Sequence, residues 1–398
     1  MMKQKVNILL LLGSVIALLI TACNPGGNVP EEQSTQTPAI SENATSQPTL
    51  ETAQPENTQA VQTTTSPSAT APTVQPTPSG PINPLTGLPP ADPALLDRRP
   101  VLVKIENLPR SDRPQSGLSL ADLVYEYHTE EGTTRFAAIY YGNNATQIGP
   151  VRSGRVFDIE LVYMYGAQFV FAGAYQTVLA RIRSQEFRNR LIVEDAAFSP
   201  ALFRAPGSNL LMLNLEELNP VLQKNNIDNT RQELEGMTFQ PEAPTDGEAA
   251  GQVYFRYSSA IYNRWDYDAQ TGKYLRFVDN ANAYSVQDET YAQLTDRSND
   301  QPIAADNVVM IMVKNVEIER NIYEIQLKGS GQAFIARDGQ IYEVRWSRAD
   351  ADDLLILEDL QGNPFPFKSG QTWFEILSDP ATVEQEDNAW RFTFQFPR

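Results

Sequence analysis

Two stretches of this 398-residue chain concentrate side chains able to do chemistry. The first is Glu126-Tyr127-His128-Thr129-Glu130-Glu131-Gly132-Thr133-Thr134-Arg135, and the second is Gly149-Pro150-Val151-Arg152-Ser153-Gly154-Arg155. Carboxylates whose pKa values are driven apart by burial can work as acid and base, which makes Glu126 and Glu131 the candidate catalytic pair. A turn running into a helix and carrying Arg152, Ser153 and Arg155 suits an anion or carboxylate, because guanidinium forks and free backbone N–H groups both donate to it. Arg135 adds a third cation, so Arg135, Arg152, Ser153 and Arg155 are the ligand-binding candidates. The competing explanation is structural, since acidic strand ends pair with nearby arginines in networks that catalyse nothing. His128 falls by strand alternation on the face opposite Tyr125 and Tyr127, where a solvent-facing or hydrogen-bonded imidazole is expected.

Other chemistries are excluded by count or by spacing. One cysteine and one histidine leave no disulfide framework, no thiolate cluster and no His-rich metal site, so neither a metal nor a cofactor is expected. The chain has no Gly-x-Ser-x-Gly elbow and no His-Glu-x-x-His helix. Gly329-Ser330-Gly331 lacks the Lys-Ser/Thr that would make it a phosphate-cradling loop, and a bulge or turn accounts for it better. Asp and Glu outnumber Lys and Arg by 49 to 31, a net charge of −18 that argues against nucleic acid as a partner.

Strands and helices must position the candidate residues. Val101-Leu102-Val103-Lys104-Ile105, Leu123-Val124-Tyr125 and Phe136-Ala137-Ala138-Ile139-Tyr140-Tyr141 read as buried strands. Val156, Ile159, Val162 and Tyr163 have helical spacing, Gln168-Phe169-Val170-Phe171 is a further strand, and helices are expected over residues 175–184 and 215–224. Beyond residue 250 lie all four tryptophans and alternating runs such as Val253-Tyr254-Phe255-Arg256-Tyr257. Residues 268–272 join two strands as a hairpin, Asp338-Gly339 joins two more, and residues 308–316 read as one central strand. The expected fold class is α+β or α/β, with an N-terminal α/β domain containing a mixed sheet over residues 83–240 and a β-rich C-terminal domain over 251–398. A β-sheet with exposed aromatics could stack on sugars, although core duty is the commoner fate of Trp and Tyr in strands.

The first 23 residues give an address. Lys3 and Lys5 precede an apolar run over residues 6–20, shorter than the roughly 20 residues that span a bilayer. Ile20-Thr21-Ala22-Cys23 resembles a bacterial lipobox, which makes Cys23, the only cysteine, the expected lipidation site. Residues 24–82 are rich in Thr, Pro, Ser and Gln and lack Trp, Tyr, Phe, Lys and Arg. Such a segment buries too little apolar surface to fold and is expected to be a disordered linker. The expected location is the outer face of the plasma membrane, held there through a lipid anchor.

Several short blocks occur in one order: Asn83-Pro84-Leu85-Thr86-Gly87-Leu88, Arg113-Pro114-Gln115-Ser116-Gly117-Leu118, Ala121-Asp122-Leu123-Val124-Tyr125-Glu126, Glu131-Gly132-Thr133-Thr134-Arg135-Phe136 and Ile148-Gly149-Pro150-Val151-Arg152-Ser153-Gly154-Arg155. Together they resemble the YerB-like lipoprotein family, a domain of unknown function numbered 3048. The likeness continues at residues 268–272, at Gly329-Ser330-Gly331 and at Ser369-Gly370-Gln371-Thr372-Trp373. It implies a lipid-anchored envelope protein with an α/β domain and a β-rich companion, and no established reaction. The family pattern carries histidines where this chain reads Phe171-Ala172-Gly173-Ala174 and Pro206-Gly207-Ser208-Asn209, which shifts weight from enzyme to binder.

Three functional classes follow. The first is a non-catalytic surface lipoprotein that binds or scaffolds the envelope machinery, with wall-synthesis proteins or wall glycan as partners. The second is a carboxylate-based glycan hydrolase or transferase using Glu126 and Glu131, with Arg135, Arg152 and Arg155 on an anionic group. The third is a solute-binding lipoprotein, against which the β-rich second half argues.

Overall fold

The structure is a computed structural model that describes residues 80–396, so Cys23 and almost all of the expected linker lie outside the described residues. Among the described residues no helix is long and apolar enough to cross a membrane. Strands β1 (Val101–Glu106), β2 (Leu123–His128) and β3 (Thr134–Tyr140) form where the sequence has its apolar runs. Helix α1 (Asp158–Tyr165), β4 (Gln168–Val170), α2 (Gln176–Arg183) and β5 (Leu191–Ile192) follow. A small hairpin, β6 (Leu202–Arg204) and β7 (Leu211–Leu213), precedes α3 (Leu218–Lys224).

The regular elements that follow among the described residues are almost all strands. β8 (Glu248–Ala249), β9 (Gln252–Arg256), β10 (Tyr262–Asp268) and β11 (Lys273–Asp279) come first, then the short β12 (Tyr291–Gln293) and β13 (Ala304–Ala305). Next are β14 (Asn307–Val313), the hairpin β15 (Asn315–Glu319) and β16 (Ile322–Ile325), and the long pair β17 (Gly329–Arg337) and β18 (Gln340–Arg348). β19 (Ile356–Glu358), β20 (Thr372–Ser378), β21 (Thr382–Glu386) and β22 (Ala389–Thr393) complete the series.

Two large sheets hold all of these strands except the separate hairpins β6–β7 and β15–β16. Ten strands of the larger run β19-β18-β17-β14-β20-β2-β3-β1-β4-β5, with β8 also on β18, and the smaller runs β12-β11-β10-β9-β22-β21, with β13 on β11. Both are mixed. In the larger sheet β1 pairs antiparallel with β3 and parallel with β4, and β2 pairs antiparallel with β3 and parallel with β20. The boundary expected between residues 240 and 251 therefore divides the chain without dividing the sheet, whose middle is β20 laid beside β2. The layering follows from alternation along β2. Tyr125 and Tyr127 face a core shared with α1 and α2, whereas Val124 faces a core shared with the smaller sheet. A strand covered on both sides must be buried throughout, and every residue of β1, β2, β14 and β20 is buried.

The α/β expectation for the N-terminal part holds only in part. Its helices are one or two turns long and the parallel run is confined to β1, β4 and β5, so the molecule is sheet-rich with mixed sheets. The strand expected over residues 308–316 divides at Lys314, and its second half turns away into the β15–β16 hairpin. All four tryptophans are buried, so they serve the core and form no glycan-stacking face. Gly329, at φ +108, opens β17 as a strand-end turn.

Gly370 shows why one glycine is needed just before β20. Its φ is +138, its N–H donates to the Thr86 carbonyl at 2.8 Å, and a Cβ there would lie 2.0 Å from Asp306 Oδ2. That carboxylate cannot yield freely, because it accepts from the Gln371 N–H at 3.0 Å and from Lys273 Nζ at 3.1 Å. Gly370→Ala is expected to cost about 2 kcal/mol. Urea denaturation at fixed pH measures it, and an unchanged midpoint contradicts the account.

Candidate functional site

The candidate residues of the sequence separate into three places. Glu126 lies in the core between the two sheets, fully buried. Because β2 and β20 pair parallel in register, Glu126 stands directly beside Glu375. Arg276 reaches both from β11 in the smaller sheet, with Nη2 donating to Glu126 Oε2 and Nη1 to Glu375 Oε1 at 3.0 Å. The remaining lone pairs are also taken. Asn107 Nδ2 (3.1 Å) and the Thr134 hydroxyl (2.6 Å) donate to Glu126 Oε1. Trp265 Nε1 (3.1 Å) and the Tyr257 hydroxyl (3.0 Å) donate to Glu375. The guanidinium lies over the indoles of Trp373 and Trp265, 4.3 and 5.0 Å from their ring centres. Burial, with the charge of Glu126 adding to it, pushes the Glu375 carboxyl up to about 7, although Arg276 pulls it back. Glu126 is thus a member of an inter-sheet ion triad, committed on every side.

Glu131 and Arg152 occupy two other places. Glu131 sits at the tip of the β2–β3 turn with φ +54, exposed, and accepts from Asn321 Nδ2 at 3.5 Å. Arg152 pairs with Glu106 at 2.5 Å and Asp112 at 3.5 Å. Burial raises the Glu106 carboxyl to about 7, with Arg152 opposing the rise. The two carboxylates proposed as acid and base therefore do not share a cavity.

Arg135, Ser153 and Arg155 do come together, and they do so around Glu130. Arg155 forks onto the Glu130 carboxylate through Nε at 2.6 Å and through Nη2. Its Nη1 donates to the carbonyls of Ser153 (3.1 Å) and Gly154 (2.9 Å). Arg135 donates to the same Ser153 carbonyl at 2.8 Å and to Glu130 at 3.4 Å. Ser153 contributes its carbonyl to this cluster. Burial favours the neutral acid at Glu130, but the Arg155 contacts outweigh it and hold the carboxyl below its ordinary value.

This cluster borders a pocket of about 280 Å³ at the end of β2. Tyr127, Phe157 and Val178 form one wall, from β2, the start of α1 and α2. Ile322, Tyr323 and Ile325 of the β15–β16 hairpin form the opposite wall, and Glu130, Arg155 and Arg320 bring charge to it. The hairpin is fastened to α2 by the Arg181–Glu324 ion pair. Under the pocket, the Tyr127 hydroxyl donates to Asp158 and accepts from Lys104 Nζ, which also lies 3.4 Å from Asp158. Asp158 accepts the Arg155 N–H at 2.7 Å as well, and so fixes the turn into α1. Burial pulls the Lys104 ammonium down to about 7, against the charge of Asp158.

His128 corrects an expectation. It lines the pocket but is neither exposed nor hydrogen-bonded: it is 1% exposed, and neither ring nitrogen has a partner. Aromatic rings enclose it, with centroids at 4.7 Å (Tyr323), 5.0 Å (Phe394) and 5.2 Å (Phe396). Burial pushes its pKa down to about 4, so the ring is neutral near pH 7, with one donor and one acceptor. Alternation gave the face correctly; what lies on that face comes from the C-terminal end of the chain, which alternation cannot report.

Sequence reasoning missed Lys104, Asp158, Arg276, Arg320, Tyr323 and Glu375. Two of them carried a signal, a charge placed at an inward position of an apolar strand: Lys104 within Val101-Leu102-Val103-Lys104-Ile105, and Arg276 between the inward Tyr274 and Val278. Among the described residues, no group of three or more His, Cys, Asp and Glu is placed to hold a metal ion.

Comparison with known proteins places this architecture. The family model described as "Protein of unknown function (DUF3048) N-terminal domain" matches residues 85–228, and that of the DUF3048 C-terminal domain matches residues 253–374. The chain is similar to "Putative lipoprotein YerB" of Bacillus subtilis (strain 168), with 27% identity over 302 residues, 74% of this chain and 86% of that protein. The crystal structure of YerB from Bacillus subtilis has the same fold, with a TM-score of 0.61 at 24% identity over 74% of this chain and 96% of that one.

Proposed function

The chain belongs to the DUF3048 family, whose two domains it carries in order, and from that premise we propose that it is a non-catalytic binding lipoprotein of the cell envelope. In this reading Cys23 is acylated, residues 24–82 are a tether, and the folded body stands at the outer face of the plasma membrane. Wall-synthesis proteins and wall glycan are then the components within its reach. The name of the Bacillus subtilis relative supports the anchor.

One observation carries the binding half: the pocket at the end of β2 is faced by a buried imidazole whose two nitrogens have no partner. A buried polar group left unpaired costs about 1–3 kcal/mol, which a bound molecule can recover. The absence of catalysis is supported by the fate of the carboxylates. Glu126 is held by Arg276, Glu130 by Arg155, and Asp158 by Lys104 and Tyr127. None of the three is free to exchange a proton with a substrate.

Two measurements test the reading. Metabolic labelling with an alkyne analogue of palmitate is expected to mark the wild type, which sediments with membranes, and to leave Cys23→Ser unmarked. An unmarked wild type recovered from cytosol overturns the anchor. Native mass spectrometry of the wild type exposed to envelope extract is expected to show a bound small molecule that Tyr323→Ala loses. A wild type that takes up nothing overturns the binding half.

A further inference from the structure

The pocket also has a charge and a shape that select a chemical class, and the argument rests on the binding reading just given. Glu130 is the only carboxylate among its lining residues, and Arg155 already neutralises it. Arg320, at the turn between β15 and β16, lines the mouth, is exposed, and among the described residues has no hydrogen-bond or ionic partner within the protein. Arg135 adjoins the cluster with donors to spare, since its Nε makes no hydrogen bond. Glu131 and Glu317 both accept from Asn321 at the same turn, so the positive charge offered to a ligand is the local one of the unpaired Arg320 guanidinium, in a chain whose net charge is −18.

The walls are apolar. Phe157, Val178, Ile322, Tyr323 and Ile325 give the two walls their apolar surface, and the Tyr127 hydroxyl is already bound to Lys104 and Asp158. A sugar entering here would leave most of its hydroxyls unpaired, and each unpaired buried group is costly. A cation would face Arg155 and Arg320. The volume of about 280 Å³ lies at the small end of ligand pockets and admits a ring or a short branched chain.

We propose that the pocket binds a small amphipathic anion, a carboxylate or phosphate monoester carried on an aromatic or branched aliphatic body. Arg320 receives the charged group at the mouth, the neutral His128 ring offers its N–H, and the apolar body lies between Phe157 and Tyr323. Anion binding of this kind uses charge-assisted hydrogen bonds, which are roughly twice as strong as neutral ones.

Isothermal titration of the full chain with four probes of one shape tests it: phenylacetate, benzyl phosphate, 2-phenylethanol and phenethylamine. The two anions are expected to bind at least about tenfold more tightly than the alcohol and the amine, and Arg320→Gln is expected to weaken the anions about tenfold without changing the alcohol. Arg320 is exposed, so an unchanged melting temperature shows that the variant is folded. If 2-phenylethanol binds as tightly as phenylacetate, or Arg320→Gln leaves the anions unaffected, the anion assignment is overturned while a binding pocket stands. If none of the four binds, the anion assignment is overturned, and the uptake from envelope extract measured by native mass spectrometry decides the binding reading separately.

Discussion

Arg276→Met is expected to cost about 3–5 kcal/mol of folding stability at pH 8, the penalty for stranding buried charge. The variant keeps two carboxylates, Glu126 and Glu375, side by side on neighbouring strands with no cation between them and no access to water. Methionine fills the space beside Trp265 and Trp373 but donates nothing. The loss is expected to shrink in mild acid, where the carboxyls take protons. It is also expected to be largely reversed in the triple variant Glu126→Gln, Arg276→Met, Glu375→Gln, since amides need no counter-ion. Urea titrations of the three proteins decide the matter. An Arg276→Met protein as stable as the wild type contradicts the triad's role in joining the sheets.

Glu375→Gln is expected to change how stability depends on pH. In the folded protein the Glu375 carboxyl titrates at about 7, against 4.5 as its ordinary value, because burial and then Glu126 disfavour its charge. The folded state therefore holds a proton that the unfolded state has already released between those values. Stability from this group is complete below pH 4.5 and is lost as pH rises through 7. Asp122, raised to about 6 by burial, and Glu106, raised to about 7, act in the same direction. His128, lowered to about 4, opposes them between pH 4 and 6.5, and Lys104, lowered to about 7, opposes them above pH 7. Comparison with the variant cancels these shared terms. The two proteins are expected to be nearly equal at pH 5, and the glutamine variant to be more stable at pH 8 by on the order of 3 kcal/mol. Parallel stability curves from pH 5 to pH 8 contradict the assignment.

Much of the secondary structure was legible in the sequence because it is set locally. The runs at β1, β2 and β3 are buried on both faces and so are continuous in apolar character. Asp338-Gly339 marked its hairpin because both residues adopt positive φ, at +54 and +75. The pairing of β2 with β20 was not legible, since nothing in either strand names the other. From it follow the merging of the two expected units into one sheet and the burial of Glu126 beside Glu375, away from Glu131. The pocket was half legible. Glu130, Arg135 and Arg155 lie in the two stretches singled out for chemistry, whereas Arg320 and Tyr323 come from a distant hairpin whose sequence reads as ordinary strand and turn. His128 was placed on the right face and given the wrong surroundings for the same reason, because Phe394 and Phe396 belong to the last residues of the chain.

The position of β20 bears on how the protein is made. β2 is synthesised before β20, the neighbour that covers its outer hydrogen-bonding edge, and every strand from β3 to β19 emerges between them. Until then that edge is an open template for other nascent chains, and closing so long a loop makes the central pairing slow. A premature stop codon before Thr372 leaves the template permanently open, so such a truncated product is a problem of aggregation before it is one of lost activity.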